Sequence, residues 1–292
     1  MNYGPMIFLA AFFALSASWF GFVLTPQIQL GRQQQEVDLA NKSQLYPQAR
    51  PGLARQGMEI YRAEGCAACH SQQVRQTATV CNVVLNETGT NRNAVADALK
   101  AAGQSDPGKF LSGLSHLVLE GVDLAQAEAA VRALKDAGAK AALQVVPAGP
   151  DITRGWGRRR TVAADYLFDA PVMLGSQRVG PDLTNIGLRS PDANALLRHL
   201  YAPQSVVKDS LMPPYRFLFE KRRIGRYPSP DALHFENKEF EPPAGFEIVP
   251  RPEAEALAAY LISLHSDTPL FEAPMTVASA ATSPAATNSP AK

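Results

Sequence analysis

Residues 66–70 read Cys66-Ala67-Ala68-Cys69-His70, and the interpretation of the whole chain starts from this pentapeptide. Two cysteines separated by two residues and followed at once by a histidine form the attachment pattern for c-type haem. The reason is geometric, because two thiols on one helical turn can each reach a vinyl group of the same porphyrin. The histidine that follows then faces the iron as its proximal ligand. The pattern therefore predicts one covalently attached haem c.

Two other uses of a Cys-x-x-Cys pair are weaker explanations of these residues. A thioredoxin-like dithiol needs no histidine and lies in a βαβ pattern, which the sequence around residue 66 does not suggest. A structural zinc site needs two further cysteine or histidine ligands nearby, and Cys81 is the only additional cysteine. The other histidines are scattered along the sequence, at His116, His199, His234 and His265.

Composition excludes several broad classes of protein. The 292 residues carry 28 Lys and Arg against 27 Asp and Glu, a formal charge of +1 that gives no basic excess for nucleic-acid binding. Three cysteines are too few for a disulfide scaffold. The length allows two domains or one domain with additional segments.

The chain begins with a hydrophobic segment long enough to cross a membrane. Residues 5–24 contain no charged side chain, and a helix of this length spans a hydrocarbon core of about 30 Å. A cleaved signal peptide would have a basic region before a shorter apolar core, but the first Lys or Arg is Arg32. We therefore expect residues 1–25 to form a single uncleaved transmembrane anchor.

Two helices suggest a cytochrome c fold after the anchor. Gly57 and Tyr61 lie four residues apart just before the cysteine motif, on one helix face. Near the C-terminus a stripe at helical spacing follows Pro252. This stripe consists of Leu257, Tyr260, Leu261 and Leu264. The two helices could cross with Gly57 letting their backbones approach, although both could equally be ordinary amphipathic surface helices.

The identity of a second iron ligand is open from these residues alone. A methionine opposite the histidine suits electron transfer because it raises the reduction potential. Met173 and Met212 both lie in Pro-flanked loops outside the anchor and the tail. Met212 is slightly favoured, because Pro213 and Pro214 would hold its loop extended. Either methionine could instead simply fill the core.

Three longer stretches resemble subunit II of the cbb3-type cytochrome c oxidase. They are EGCAACHSQQVR (64–75), PVMLGSQRVGPDLTNIG (171–187) and SLMPPY (210–215), behind a single N-terminal anchor. The resemblance implies a membrane-anchored electron-transfer subunit with one haem. This subunit would belong to a proton-pumping oxidase and would not be an enzyme on its own. It also implies two partners, a catalytic haem-copper subunit and a dihaem cytochrome c subunit, and no nucleic acid.

The resemblance assigns roles to individual residues. It implies that Cys66 and Cys69 form thioethers with the haem, that His70 is the proximal ligand, and that Met212 is the distal ligand. Because covalent haem attachment takes place outside the bacterial cytoplasm, it also sets the topology. The N-terminus would be cytoplasmic, and everything after Thr25 would lie on the periplasmic side of the inner membrane.

The same resemblance indicates residues around the ligands. The carbonyl of Pro181 would accept a hydrogen bond from the His70 imidazole and so fix the orientation of the ring. Arg75 and Arg178 resemble residues near the haem propionates, where a guanidinium pairs with a carboxylate. An ordinary solvated arginine is the alternative for both.

One long segment departs from the resemblance, because Arg75 and Gly175 are separated by an insert at residues 81–146. Its pattern predicts strand, two helices, strand, helix, strand, a small α+β unit. The stretch EGVDLAQAEAAVRALKDAGAKAALQ is similar to the C-terminal domain of the bacterial ribosomal stalk protein. The similarity is poor in the second helix, which lacks the stalk protein's Lys-rich stretch for translation factors. We interpret the insert as an accessory or docking module whose Cys81 is a small buried hydrophobe.

The predicted fold is one transmembrane helix, a mainly α, class I-like cytochrome c domain and the small α+β insert. The boundaries are anchor 1–25, linker 26–53, cytochrome c domain 54–80 and 147–272, insert 81–146 and disordered tail 273–292. The tail is assigned as disordered because its Ala, Ser, Thr and Pro residues offer little apolar surface to bury.

Three alternative functions remain. The first is an anchored monohaem cytochrome that serves another periplasmic acceptor. The second is a haem protein with an open sixth iron position, acting as an enzyme or a gas sensor. The third is an interaction protein whose main role lies in the insert.

Overall fold

The computed structural model describes residues 3–41, 43–112 and 115–276. The α-helices of this part are α1 (Gly4–Trp19), α2 (Thr25–Gly31), α3 (Gly52–Ala63), α4 (Arg92–Ala101), α5 (Leu124–Asp136), α6 (Pro150–Thr153), α7 (Ile186–Arg189), α8 (Ala193–Tyr201), α9 (Pro203–Val206) and α10 (Pro252–Ile262). The strands are β1 (Glu36–Val37), β2 (Leu45–Tyr46), β3 (Ala78–Glu87), β4 (His116–Val122), β5 (Lys140–Ala148), β6 (Phe219–Arg223) and β7 (Phe246–Pro250).

The N-terminal helix is apolar around its whole circumference and has no buried residue along α1. Helical structure continues from Gly4 to Gln29, and its most apolar 18-residue stretch has a mean hydropathy of 2.1, so the helix is long and apolar enough to cross a membrane. A π-helical turn at Phe20–Leu24 joins α1 to α2. Pro26 explains the wider turn, because proline has no N–H to donate and its ring crowds the carbonyl four residues earlier. The helix therefore extends past the predicted boundary at residue 25.

A helix pair organises the part of the chain that follows. Helices α3 and α10 pack at Gly57, where an added Cβ would lie 1.8 Å from the backbone oxygen of Ala256. The rings of Tyr61 and Tyr260 meet beside this contact with centroids 5.3 Å apart. The close approach is the crossing that Gly57 suggests in the sequence. The predicted stripe is buried in the same core, with Leu257, Tyr260 and Leu261 on α10 and Leu264 just past its end.

The insert folds around a core of its own. Strand β3 lies at the centre of a three-stranded antiparallel sheet in the order β4-β3-β5. Cys81, Val83 and Leu85 of β3 are buried beneath α4 and α5. Cys81 is therefore buried, as the sequence indicates. The division of the chain into domains remains a prediction.

The second helix predicted in the insert is absent from the described residues between α4 and β4. A 3-10 turn at Pro107–Phe110 stands there instead, and the next residues include the undescribed pair 113–114. Pro107 and Gly108 account for the difference, because neither favours a helix interior.

A buried ion pair holds the segment after the membrane helix against the rest of the fold. The guanidinium of Arg159 binds the carboxylate of Asp165 with both of its terminal nitrogens, at 2.8 and 3.1 Å. Tyr46 of β2 donates its hydroxyl to the same carboxylate at 2.6 Å. Burial and the charge of Asp165 raise the pKa of Tyr46 well above its usual value. The predicted linker 26–53 thus contains ordered structure, the β1–β2 hairpin.

The predicted tail starts too early. Ala273 is buried, and Thr276 donates both its N–H and its hydroxyl to the carbonyl of Val145, each at 3.0 Å. Apolar contact and β-edge pairing order these residues despite their composition. Residues 277–292, the rest of the predicted tail, lie outside the described residues.

The helix crossing generates a stability prediction for Gly57→Ala. Because the new Cβ would overlap the Ala256 carbonyl, we expect the free energy of unfolding to fall by about 1–3 kcal/mol, the usual cost of overpacking. This loss would appear although alanine is the better helix former by up to about 1 kcal/mol. Denaturant unfolding of the detergent-solubilised chain, followed by circular dichroism, measures the change.

Gly52→Ala is the matched control, since a Cβ there meets no atom within 4 Å. Its unfolding should match the unmodified chain or shift slightly toward greater stability. Equal stability of the two variants would contradict the proposed close packing at Gly57.

Candidate functional site

The cysteine motif forms a tight turn immediately after α3. Gly65, with φ of +69°, ends the helix in the left-handed region that glycine adopts without strain. The next three residues form a 3-10 turn in which the N–H groups of Cys69 and His70 donate to the Cys66 carbonyl, at 3.2 and 3.0 Å. Both thiols and the imidazole are therefore presented from one turn of backbone.

The two thiols differ in their surroundings. Cys66 is buried and Cys69 is exposed, and both are free of disulfide bonds. Burial raises the pKa of the Cys66 thiol to about 11, while a hydrogen bond with the Tyr215 side chain acts in the opposite direction. The Tyr215 contact is informative because this residue belongs to the SLMPPY loop, 149 residues away in the sequence. The loop of Met212 is therefore folded against the cysteine motif.

A hydrogen bond from its Nδ1 to a backbone carbonyl orients the His70 imidazole. Its Nδ1 lies 2.8 Å from the carbonyl oxygen of Pro181. Because a carbonyl can only accept, Nδ1 carries the proton and Nε2 keeps its lone pair. Burial lowers the pKa of His70, and the Pro181 bond partly opposes this. The neutral tautomer with Nε2 free is the form that ligates a metal.

A second segment of the chain, residues 174–183, lies beside the cysteine motif and is hydrogen-bonded to it. The N–H of Gly180 donates to the carbonyl of Cys69 at 3.0 Å, and that of Leu183 donates to Ser71 at 2.8 Å. Ser176 donates in the same way to Ala67 at 2.9 Å. The segment 174–183 therefore follows residues 67–72 closely, and the Pro181 carbonyl is positioned by this pairing.

Gly180 makes room for the imidazole. A Cβ on this residue would lie 2.3 Å from Cε1 of His70 and within 3 Å of both ring nitrogens. Any side chain at this position would push the ring away from the Pro181 carbonyl. The glycine of the Gly180-Pro181 pair is therefore required by packing against the ligand, and not by its backbone angles.

Asp182 is a fully buried carboxylate that links the two segments. It accepts hydrogen bonds from the Ser71 hydroxyl at 2.6 Å, the Gln73 N–H at 2.8 Å and the Thr184 N–H at 2.9 Å. These charge-assisted bonds fix the backbone on both sides of the His70–Pro181 contact. The sequence indicated Pro181 but not this role of its neighbour.

The two arginines expected near haem propionates make different contacts. Arg178 binds both carboxylate oxygens of buried Asp151, at 2.8 and 2.7 Å, and also donates to the Gln73 carbonyl. Arg75 is exposed, and its backbone N–H donates to Asp151 at 2.7 Å. Arg178 thus already has a carboxylate partner within the chain. A role for either arginine toward a propionate remains a prediction.

Both candidate methionines belong to the hydrophobic cluster that contains Cys66. Met173 is buried within it, whereas Met212 is half-buried and packs against it. Met173 is adjacent to Leu174, whose carbonyl accepts from the Gln72 N–H at 3.0 Å, so its segment runs beside the chain that follows His70. Met212 follows exposed Leu211 in the loop that reaches Cys66 through Tyr215.

Two further basic residues lie near His70, and the sequence analysis did not assign them to the site. Arg189 donates to the backbone carbonyl of Asp182, the residue after Pro181, and its charge lowers the pKa of His70. Burial lowers the pKa of Arg189 itself, and no carboxylate in the described chain lies within 4.0 Å of it. Burial lowers the pKa of His199 on α8, and the charge of His70 lowers it further. His199 therefore lies near the site.

The residues present fit a covalently held haem. Two thiols and an imidazole share one turn, Nδ1 of the imidazole is the nitrogen that meets the Pro181 carbonyl, and a thioether side chain packs against the hydrophobic cluster that contains Cys66. Arg189 supplies a desolvated cation that has no carboxylate partner among the described residues and is suited to compensate an acidic group of such a ligand.

Comparison with known proteins gives one match. Residues 143–230 match the family described as "Cytochrome C oxidase, mono-heme subunit/FixO". The matched range includes Pro181 and Met212, and it excludes the cysteine motif, the N-terminal helix and nearly all of the insert. No curated protein matches the chain.

The family match and the sequence resemblance therefore agree, and they share two of the three stretches that carry the resemblance, residues 171–187 and 210–215. The family implies one haem, a place in a cytochrome c oxidase complex with partner subunits, and membrane association consistent with the N-terminal helix. The similarity of the insert to the ribosomal stalk protein remains a prediction. The chain resembles the FixO-type mono-haem subunit of cytochrome c oxidase.

Proposed function

We propose that this chain is the electron-transfer subunit II of a cbb3-type cytochrome c oxidase. It would accept electrons from a dihaem cytochrome c subunit and pass them to the catalytic haem-copper subunit, and it would reduce no oxygen itself. The proton-pumping activity would belong to the complex. The observation that carries this proposal is the His70 Nδ1–Pro181 contact, because it prepares the imidazole of a thiol-bearing turn to ligate iron.

The proposed cofactor is one haem c, which supplies a one-electron couple between Fe(III) and Fe(II). Cys66 and Cys69 would hold it covalently, and His70 would be its proximal ligand. The Pro181 carbonyl keeps Nδ1 protonated and strengthens the imidazole as a ligand. The buried carboxylate of Asp182 and the packing of Gly180 hold this geometry.

Met212 is the proposed distal ligand. Its thioether lies in the loop that Tyr215 brings to Cys66, and Pro213 and Pro214 restrict the backbone of that loop. Met173 is the better candidate for a packing role, because its side chain is buried within the core. A methionine ligand would raise the reduction potential toward that of an electron-transfer cytochrome.

The proposed location is the bacterial inner membrane, with the haem-bearing part on the periplasmic side. The apolar helix Gly4–Gln29 supports the anchor. The Tyr46–Asp165–Arg159 contacts support a fixed attachment of the following segment to the haem-bearing part, so that electron transfer takes place at a defined distance from the membrane.

Substitution of Met212 tests the distal ligand. We expect Met212→Ala to convert low-spin iron to high-spin iron and to lower the reduction potential by on the order of 100 mV, within the roughly 0.8 V range that axial ligands set. Electron paramagnetic resonance and a spectroelectrochemical titration of the purified chain measure both changes.

Met173→Leu is the control, since it preserves the volume of the core and should leave the spin state and potential unchanged. If Met173→Leu produced the high-spin iron and Met212→Ala did not, the assignment of the distal ligand would be wrong.

Isolation of the native complex tests the wider proposal. The chain, purified in mild detergent through an affinity tag, should bring with it a membrane subunit that contains haem and copper, and the preparation should consume oxygen with a reduced donor. Metal analysis and oxygen-electrode measurements read out both properties. A pure monohaem chain without copper would instead favour an anchored cytochrome that serves another acceptor.

A further inference from the structure

A basic surface follows the Met212 loop directly in the chain. Residues 216–227 read RFLFEKRRIGRY and carry five Arg and Lys against one Glu. They comprise the 3-10 turn Arg216–Leu218, strand β6 and the residues after it. We name the exposed side chains Arg216, Lys221, Arg223 and Arg226 the basic hairpin surface.

One basic residue of this stretch has a structural role and does not belong to the surface. Arg222 donates from Nε to the buried carboxylate of Glu247 on β7 at 2.8 Å. Alternation along the strand places Lys221 and Arg223 on the opposite face. Of the cations on β6, Arg222 is the one that pairs with a carboxylate of β7 within the described residues.

The remaining cations are supported by aromatic rings and not by carboxylates. Lys221 and Arg223 both lie over the ring of Phe246, at 5.4 and 5.8 Å from its centroid. Within the described chain, no carboxylate comes within 4.0 Å of any member of the surface. Two like charges on one strand face repel each other, so this arrangement has a cost that pairing with Glu or Asp would remove.

The position of the surface relates it to the proposed haem site. Its first residue, Arg216, lies four positions after Met212 and is over the ring of Tyr201, 5.5 Å from the centroid. Strand β6 starts at Phe219, which belongs to the same hydrophobic cluster as Cys66. Leu211, next to Met212 in the sequence, and Phe217, next to Arg216, are both mostly exposed. Apolar side chains bordered by arginine are typical of protein interfaces.

We propose that the basic hairpin surface docks the acidic face of an electron-donating protein. Opposite charge steers such partners into contact and sets their orientation, while the exposed apolar residues give close contact near the cofactor. Three of the four cations are arginines, which pair with carboxylates through two parallel hydrogen bonds. The claim that the partner donates electrons rests on the proposed function. The claim that the surface binds an acidic protein does not.

A binding measurement tests the surface independently of haem. The full chain in a neutral detergent is titrated with poly-L-glutamate as the probe at an ionic strength of about 0.1 M. We expect Lys221→Glu combined with Arg223→Glu to weaken binding by about tenfold or more, since both charges are reversed at the contact. The uncharged pair Lys221→Gln and Arg223→Gln should give a smaller loss and covers any failure of the first variant to fold.

The matched control reverses one arginine and one lysine elsewhere. Arg132→Glu with Lys135→Glu changes the net charge equally on the exposed side of α5. It should leave the affinity for poly-L-glutamate within about twofold of the original, because exposed charges beyond a Debye length of about 10 Å are screened. An equal loss in the control would overturn the proposal, since only net charge would then matter.

Two further measurements follow. One tests whether the surface is where electrons enter, and the other distinguishes an acidic protein from a lipid surface as its partner. In the haem-loaded chain, reversal at residues 221 and 223 should slow reduction by hexacyanoferrate(II) and leave reduction by hexaammineruthenium(II) as fast or faster. If the charge reversal changed both rates by the same factor, or changed neither, the surface would not lie near the electron entry point. Binding to phosphatidylglycerol vesicles that is lost in the variant, with poly-L-glutamate unaffected, would identify a lipid surface and refute the acidic partner.

Discussion

The hydrogen bond from His70 Nδ1 to the Pro181 carbonyl is the contact on which the candidate site depends. It joins residues 111 positions apart, and it sets both the tautomer and the direction of the imidazole. The surrounding structure serves to keep these two groups together. Gly180 provides the space for the ring, Asp182 links the flanking backbones, and the N–H of Gly180 donates to the carbonyl of Cys69. A ligand held in this way needs little rearrangement when the oxidation state of a bound metal changes.

The insert begins and ends close to the segments that carry His70 and Pro181. Its two ends are paired where the Thr77 N–H donates to the Ala148 carbonyl at 2.9 Å. Asp151, three residues later, accepts from the Arg75 backbone and from the Arg178 side chain. A single buried carboxylate therefore closes the base of the insert and fixes the segment that carries Pro181. Because the insert has a core of its own, it can be accommodated by a loop of the site without unfolding that loop.

The sequence predicted those features that depend on local spacing. Gly57 and the apolar stripe of α10 indicated a helix crossing, because only glycine permits the backbone approach that the structure contains. The role of Pro181 followed from the resemblance. Contacts that depend on the tertiary fold were not predictable. Nothing in the spacing shows that Asp151 takes Arg178 as its partner or that His199 approaches His70. Composition predicted a disordered tail from residue 273, but Thr276 is held by hydrogen bonds to Val145 of β5, which is distant in the sequence.

The most direct test of this account is the intact mass of the chain after denaturation in acid and organic solvent. When the protein is produced in a host that attaches haem c, the mass should exceed that of the polypeptide by one haem. Cys66→Ala combined with Cys69→Ala should reduce it to the polypeptide mass, while Cys81→Ala should keep the added haem, since Cys81 is buried in the insert. A bare polypeptide mass, in a host that loads a control c-type cytochrome, would contradict the account.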